Sequence, residues 1–259
     1  MTKQNIPKII HYIWLGGKEK PESVLKCIES WHKFCPDYEF IEWNEQRFGA
    51  GRSEIVDYAL SQKNWAYAAD VIRVVALKEH GGVYFDIDVE LVAPIDDLVQ
   101  YDAFLGYESR YWFGSAALGS IPNHPLYQML VDRYFYESDI AFLSNPFSVH
   151  AFSAAIKMLY KVKLDGKFRV VDNIAFLPEP YFYPINYMSL KMQKDENTRG
   201  IHYYQSSWHN KEQKRGARVA YLARKFLGCH IYGFFEKIVA YDFYRKIRKQ
   251  FERIENVRK

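Results

Sequence analysis

The stretch Gly81-Gly82-Val83-Tyr84-Phe85-Asp86-Ile87-Asp88-Val89-Glu90 constrains the fold more than any other in the chain. Gly81-Gly82 ends the helical pattern before it, because glycine takes a positive φ without a Cβ clash. The apolar alternation that follows predicts a buried strand. Val83, Phe85, Ile87 and Val89 fall on one side of it, and Tyr84, Asp86 and Asp88 on the other. Two carboxylates so placed repel and raise each other's pKa unless a cation lies between them. Hard oxygen donors at a strand end suit Mg²⁺ or Mn²⁺, ions that usually accompany a phosphorylated ligand. The plainer reading of a bare Asp-x-Asp is a surface strand end with two solvated acids.

The segments around this stretch predict an α/β domain. Ile6 to Leu15 is a β-branched and aromatic run closed by Gly16-Gly17, a first buried strand that ends in a loop able to approach a ligand. Pro21 opens a helix through about Phe34, and Tyr38 to Trp43 alternates as a second strand. This β-α-β opening predicts a parallel sheet with a right-handed crossover. Helices are expected from about Ser53 to Ser61, Trp65 to His80, Pro125 to Tyr136 and Pro146 to Tyr160. Short strands are expected at Phe104 to Tyr107, Ser115 to Gly119 and Ile201 to Tyr204. The prolines at 178, 180 and 184 mark an irregular aromatic segment.

Composition narrows the class. At 259 residues and 49% hydrophobic, the chain supports one sizeable core. Cys27, Cys35 and Cys229 have no metal-ligand spacing and read as free thiols in a reducing compartment. No signal-peptide pattern follows Lys3 and Lys8, and no window reaches the ~18 apolar residues of a membrane span. Charge is uneven: residues 211–259 hold 14 Lys/Arg against 5 Asp/Glu, whereas the first 210 hold 21 against 26. An acidic body thus carries a basic tail.

Four elements make a constellation. Trp14-Leu15-Gly16-Gly17 ends the first strand. Asp70 and Arg73, spaced i and i+3, share a helix face. Asp86 and Asp88 follow, and much later comes His202-Tyr203-Tyr204-Gln205-Ser206-Ser207-Trp208. Each has a bland reading: a surface ion pair for Asp70 and Arg73, a hydrogen-bonded core histidine for His202, and core packing for Trp14 and Trp208. Together, the spacing Ala69-Asp70-Val71-Ile72-Arg73…Gly81-Gly82-Val83-Tyr84-Phe85-Asp86-Ile87-Asp88 resembles the core signature of glycosyltransferase family 32. It is more distantly similar to that of the clostridial glucosylating toxins. The opening Ile6 to Trp14 and the late His202…Ser207-Trp208 match the same family's ends.

The resemblance implies a GT-A fold: a single Rossmann-like nucleotide-binding domain with a mixed sheet flanked by helices, here spanning 1–210. It implies a nucleotide-sugar donor, Mn²⁺ or Mg²⁺, and retention of anomeric configuration. By position, Asp88 is the expected metal ligand, with Asp86 turned to the donor's ribose and sugar and within reach of the metal. Asp70 and Arg73 are expected on the sugar hydroxyls, Arg73 near the diphosphate, and Tyr84 close to the donor. Ile13 and Trp14 are expected to flank the base, His202 to be a third metal ligand, and Ser207 and Trp208 to contact the diphosphate. Such an arrangement stabilises the charge that grows on a departing diphosphate. No carboxylate stands out as a nucleophile of the kind retaining hydrolases use, so same-face attack by the acceptor hydroxyl is the working mechanism. A covalent sugar trapped on Asp70 or Glu108 would exclude it.

Residues 218–259 form a basic, aromatic, amphipathic stretch. Ala240, Tyr244, Ile247, Phe251 and Ile254 step at helical spacing among Lys237, Arg245, Lys246, Arg248, Lys249 and Arg253. This suits an anionic membrane surface, and equally a helical appendage on the body with a solvated basic face. No motif supports nucleic acid. The expected setting is the cytoplasm, peripherally at the inner face of the plasma membrane, with a glycan or lipid-linked glycan acceptor of the capsule or O-antigen type and a UDP-sugar as donor. Three alternatives stay open. Val83 to Val89 fits the short Asp-x-Asp pattern of haloacid-dehalogenase-type phosphatases, although that strand should open the fold. A sugar-nucleotide-binding module would keep the aromatics without needing both carboxylates and Arg73. A toxin-like enzyme would act on a protein.

Overall fold

The computed structural model describes residues 5–136, 148–186 and 191–204, together with positions 245, 248, 249 and 252. The first half opens as the periodicity predicts. Strand β1 (Ile9–Ile13), helix α1 (Glu22–Phe34) and strand β2 (Glu39–Trp43) form a β-α-β unit, and β1 and β2 pair in parallel. The short α2 (Glu45–Phe48) is capped by the Asn44 side chain, and α3 (Glu54–Ser61) by Ser53, whose oxygen accepts from the Val56 N–H. Helix α4 (Trp65–His80) keeps its expected limits. Its buried residues run without a break from Asp70 to Leu77, which wraps it in protein on all sides.

At the end of α4 the chain needs both glycines. Gly82 has φ +91°, and a Cβ there would meet the Ile9 carbonyl oxygen at 2.8 Å. From this corner strand β3 (Gly82–Phe85) runs parallel to β1 and buries every residue. Here the expected strand is corrected. β3 stops at Phe85, and Asp86, Ile87 and Asp88 form a turn closed by the Val89 N–H on the Asp86 carbonyl at 3.0 Å. The two acids therefore converge through a turn, not through period-two alternation. The last rung is the Asp86 N–H on the Ala116 carbonyl at 2.8 Å; β6 runs on to Trp112, but the chain turns away from it at Ile87.

The chain then leaves the sheet as β4 (Val89–Leu91) and returns as the hairpin β5 (Ala103–Ser109) and β6 (Trp112–Ser120). Helices α5 (Pro125–Tyr136) and α6 (Ser148–Tyr160) follow. The hairpin β7 (Arg169–Val171) and β8 (Ile174–Leu177) comes next, a pair that the sequence pattern did not announce. The seven-stranded mixed sheet has the order β2-β1-β3-β6-β5-β8-β7. Its one face packs on α3 to α6 through Val71, Val75, Leu118 and Phe113; the other packs on α1 through Trp31, Phe85, Phe104 and Phe182. A separate ribbon joins β4 to β9 (Gly200–His202), antiparallel, with Val89 opposite His202. That register brings the late histidine to the acid turn. Among the described residues, no helix is long and apolar enough to cross a membrane.

Candidate active site

The site grows from α4 and the β3 end. Asp70 and Arg73 point the same way at i and i+3 and pair at 2.9 Å, with side chains 7% and 6% exposed. That rules out the surface-pair reading, because a pair this deep loses its hydration and needs further partners. Arg73 has them. One Nη donates to the Ser115 carbonyl at 2.8 Å, the other lies 3.4 Å from Asp86, and the guanidinium sits over the Tyr84 ring at 4.8 Å. Tyr84, though on a buried strand, donates its hydroxyl to Asp86 Oδ1 at 2.6 Å. Burial, with Asp86 beside it, holds the Tyr84 phenol well above its ordinary pKa, so it stays a donor.

Asp88 is fixed from the opposite side. The Trp31 indole donates to the Val89 carbonyl at 2.7 Å, and the Ser30 hydroxyl accepts from the Leu91 N–H, so α1 anchors β4. The Tyr203 N–H bonds the Asp88 carbonyl at 3.0 Å. His202 Nε2 then lies 3.4 Å from Asp88 Oδ1. One ligand atom from each of Asp86, Asp88 and His202 falls within 4.8 Å of the others. Burial opposes a charged His202, but the hydrogen bond and charge of Asp88, with Asp86 and Glu108, outweigh it and raise its pKa. Among the described residues, Asp70 and Asp86 gather on the Arg73 guanidinium, and Asp88, Asp86 and Glu108 around His202, so acids outnumber guanidinium groups here. Two carboxylates and an imidazole at this spacing, in so negative a field, fit a divalent cation by donor type and by charge.

The expected residues distribute as follows. Asp70, Arg73, Tyr84, Asp86, Asp88 and His202 converge. Ile13 is a core residue at the end of β1, 6% exposed. Trp14 is partly buried just beyond it, its indole donating to the Lys18 carbonyl at 2.6 Å. In the glycine loop, Gly16 lies against the Trp65 ring and donates its N–H to Glu45 at 2.7 Å. Ser207 and Trp208 lie outside the described residues, as does nearly all of 211–259.

Three further groups join the cluster. Burial pushes the Glu108 carboxyl up, against the pull of His202 and Tyr204. Tyr204 packs its ring 4.1 Å from His202, and Tyr183 stands edge-on to the same imidazole at 5.7 Å. Glu108 had one sequence signal, as the first charge after the apolar run Phe104 to Tyr107; it lies inside β5. Tyr183 had none beyond its proline-rich surroundings.

With this geometry established, similarity to known proteins is informative. Residues 21–105 match the glycosyltransferase sugar-binding region containing a DXD motif. The chain is 26% identical to the mannosyl phosphorylinositol ceramide synthase SUR1 of Saccharomyces cerevisiae over 93% of its own length and 62% of the relative's. It is 30% identical to inositol phosphoceramide mannosyltransferase 3 of Schizosaccharomyces pombe, over 49% of this chain and 36% of that one. The chain thus spans less than two thirds of either relative. In structure it resembles the PaToxG glycosyltransferase, with a TM-score of 0.50, 18% identity, and coverage of 60% of this chain and 69% of the other. That likeness bears on the fold alone, a GT-A-type mixed sheet with flanking helices. The matched region holds Asp70, Arg73, Tyr84 and the buried Asp86/Asp88 turn, so the part of the chain that builds the site is the part similar to the glycosyltransferase sugar-binding region with its DXD motif.

Proposed function

We propose that the chain is a retaining, metal-dependent glycosyltransferase that moves a hexose from a nucleotide sugar to a lipid-linked glycan or glycolipid acceptor. The observation that carries the reading is the Asp86/Asp88/His202 cluster set beside the buried Asp70–Arg73 pair. Asp88, Asp86 and His202 hold Mn²⁺ or Mg²⁺. When bound, that ion neutralises charge on the donor diphosphate. Arg73, held by Asp70, Asp86 and Ser115, presents a fixed positive charge to the same leaving group and needs no rearrangement as that charge grows. Asp70 and Asp86 hold sugar hydroxyls and so fix the reacting geometry. Tyr84 keeps Asp86 oriented. Ile13 and Trp14 flank the base, and Ser207 and Trp208 contact the diphosphate.

The names of the two fungal relatives support mannose as the sugar and a phosphoinositol sphingolipid as one acceptor type. The capsule-type resemblance supports a UDP-sugar and a capsule or O-antigen intermediate. Both readings place the acceptor in a lipid. Residues 1–210 form the catalytic domain. Residues 211–259 form a basic helical extension that rests on anionic membrane at the inner face of the plasma membrane. Arg245, Arg248, Lys249 and Glu252 of that extension are helical and exposed, and Arg248 pairs with Glu252 at 2.7 Å.

A thermal-shift screen of UDP- and GDP-sugars, with and without Mn²⁺, tests donor and metal together. A metal-dependent rise in melting temperature with one nucleotide class is expected; no response to any nucleotide sugar would reject the reading. Deleting 218–259 is expected to abolish co-sedimentation with anionic liposomes while donor hydrolysis persists. Unchanged sedimentation would end the membrane assignment.

A further inference from the structure

The far edge of the sheet turns an apolar strip to solvent. Strand β7 ends the sheet order and pairs with β8 alone among the described residues. Phe168 just before it and Val170 within it are two residues apart, so they share a face, and they are 48% and 45% exposed. Tyr181 stacks on the Phe168 ring, centroids 6.4 Å apart.

The strip also carries charge that the body lacks. Residues 161–170 hold four Lys/Arg against one Asp, within a first 210 residues where acids prevail. Lys161, Lys163 and Lys167 are exposed, and so is Arg110 at the tip of the β5–β6 hairpin. The lone acid is occupied: Asp165 accepts from Arg169 at 2.6 Å and from the Lys167 N–H at 3.2 Å. The Tyr107 hydroxyl donates to the Lys163 carbonyl at 3.4 Å, and a Cβ at Gly166 would lie 3.6 Å from the Arg110 Cα. The loop is thus tied to the hairpin, and Phe168 and its cations are presented together, with less ordering left to a partner.

Register sets where this edge sits. Arg169 pairs with Phe176, and Leu177, next along β8, pairs with Gly106. The β5–β6 hairpin closes beyond that rung, at the end of the sheet where β3 gives way to the acid turn. Four strand spacings separate β3 from β7, so Phe168 stands roughly 19 Å across the sheet from Asp86. A flat partner touching Phe168 therefore lies beside the site.

Charge selects that partner. Residues 211–259 are basic, with 14 Lys/Arg against 5 Asp/Glu, and a second copy would bring the same cations, so neither complements the strip. An anionic surface does, and a phenylalanine among lysines suits the headgroup layer of an anionic bilayer.

We propose that the β7 edge and its loop are a membrane-contact face, with Phe168 and Val170 in the headgroup layer and Lys161, Lys163, Lys167 and Arg110 on lipid phosphates. The choice of a bilayer rests on the reading of a lipid-borne acceptor; the contact itself needs no turnover. One phenylalanine with a few cations gives marginal, reversible attachment, so residues 218–259 supply the hold and this face supplies the orientation.

The full chain with Cys229→Ser tests it, carrying an NBD label at Phe168→Cys or, for comparison, at Tyr58→Cys, which is 41% exposed on α3. Cys27 and Cys35 are buried and stay unlabelled. On equimolar phosphatidylglycerol and phosphatidylcholine vesicles the 168 label should gain about twofold in emission, with no gain on phosphatidylcholine alone; the 58 label should not change. Lys163→Glu with Lys167→Glu should weaken binding to the anionic vesicles by about tenfold or more and leave donor hydrolysis within twofold. A silent 168 label, equal responses at 168 and 58, or no vesicle binding overturns the face. So does a double variant that loses affinity for RNA but not for vesicles. A responding 168 label in a chain that turns over no nucleotide sugar upholds the face and rejects the enzymatic reading instead.

Discussion

Two buried histidines show how neighbours divide scaffold from site. His11 on β1 is fully buried between strands and helix end. Its Nε2–H donates to the Gly81 carbonyl at 2.9 Å, and its Nδ1 accepts from the Trp43 indole at 3.1 Å. Among the described residues no carboxylate is paired with it; burial, offset in part by the Gly81 carbonyl and reinforced by His80 and Arg47, lowers its pKa to about 4. His202 is nearly as buried, yet its pKa moves the other way, because Asp88, Asp86 and Glu108 surround it. Burial is common to both, so burial alone says nothing of function. The acids decide. His11 is the satisfied core histidine that a lone histidine usually is, and it locks β1, β2 and the glycine corner together. His202 completes a charged cluster.

Four changes break or sharpen that contrast. The largest effect is expected at the acid partner of His202. Asp88→Asn should cut donor turnover about 10³-fold while the nucleotide still binds, as read by isothermal calorimetry; a tenfold loss or less would remove Asp88 from the chemistry. Arg73→Ala should then cost about 3–5 kcal/mol in urea unfolding, because Asp70 and Asp86 lose their shared cation. Arg73→Met in the Asp70→Leu background should recover much of that stability and none of the turnover.

The third effect is on pH dependence. His11 and His124 are both buried and held near a pKa of about 4 in the fold, against about 6.5 when unfolded. The unfolded chain therefore binds the protons that the native state refuses. Stability contributed by these neutral rings is present above pH 6.5, falls as pH drops from 6.5 toward 4, and levels below that. Each contributes up to about 3 kcal/mol. Urea midpoints across that range should fall, and His124→Asn should flatten the slope. The smallest effect is that of His11→Ala, which leaves the Trp43 indole N–H and the Gly81 carbonyl without their partner. It should cost about 2 kcal/mol and leave kcat of the folded enzyme within twofold, whereas His202→Ala should do the reverse.

Much of the donor half was legible because its signals are local. Helix α4 keeps its limits since Asn64 caps one end and Gly81 the other. Asp70 and Arg73 share a face by helix geometry alone. The parallel β1–β2 pair follows from the length of the intervening helix. The acid turn was legible as a site but misassigned in conformation. Alternation sets where side chains point while a strand lasts; it does not tell where the chain turns away from its neighbours. The β7–β8 hairpin was missed because three- and four-residue strands carry too little periodicity to register.

By itself, then, the chain's order of residues determined the glycine corner, the Asp70–Arg73 face and the presence of two close carboxylates. These are properties of neighbours within a few residues, set by φ, helix pitch and charge. The tertiary structure alone decided that Asp86 and Asp88 meet in a turn, that Arg73 reaches Asp86, and that His202 arrives 3.4 Å from Asp88 across the β4–β9 ribbon. Those are contacts between groups far apart in sequence, and their distances depend on how every intervening element packs.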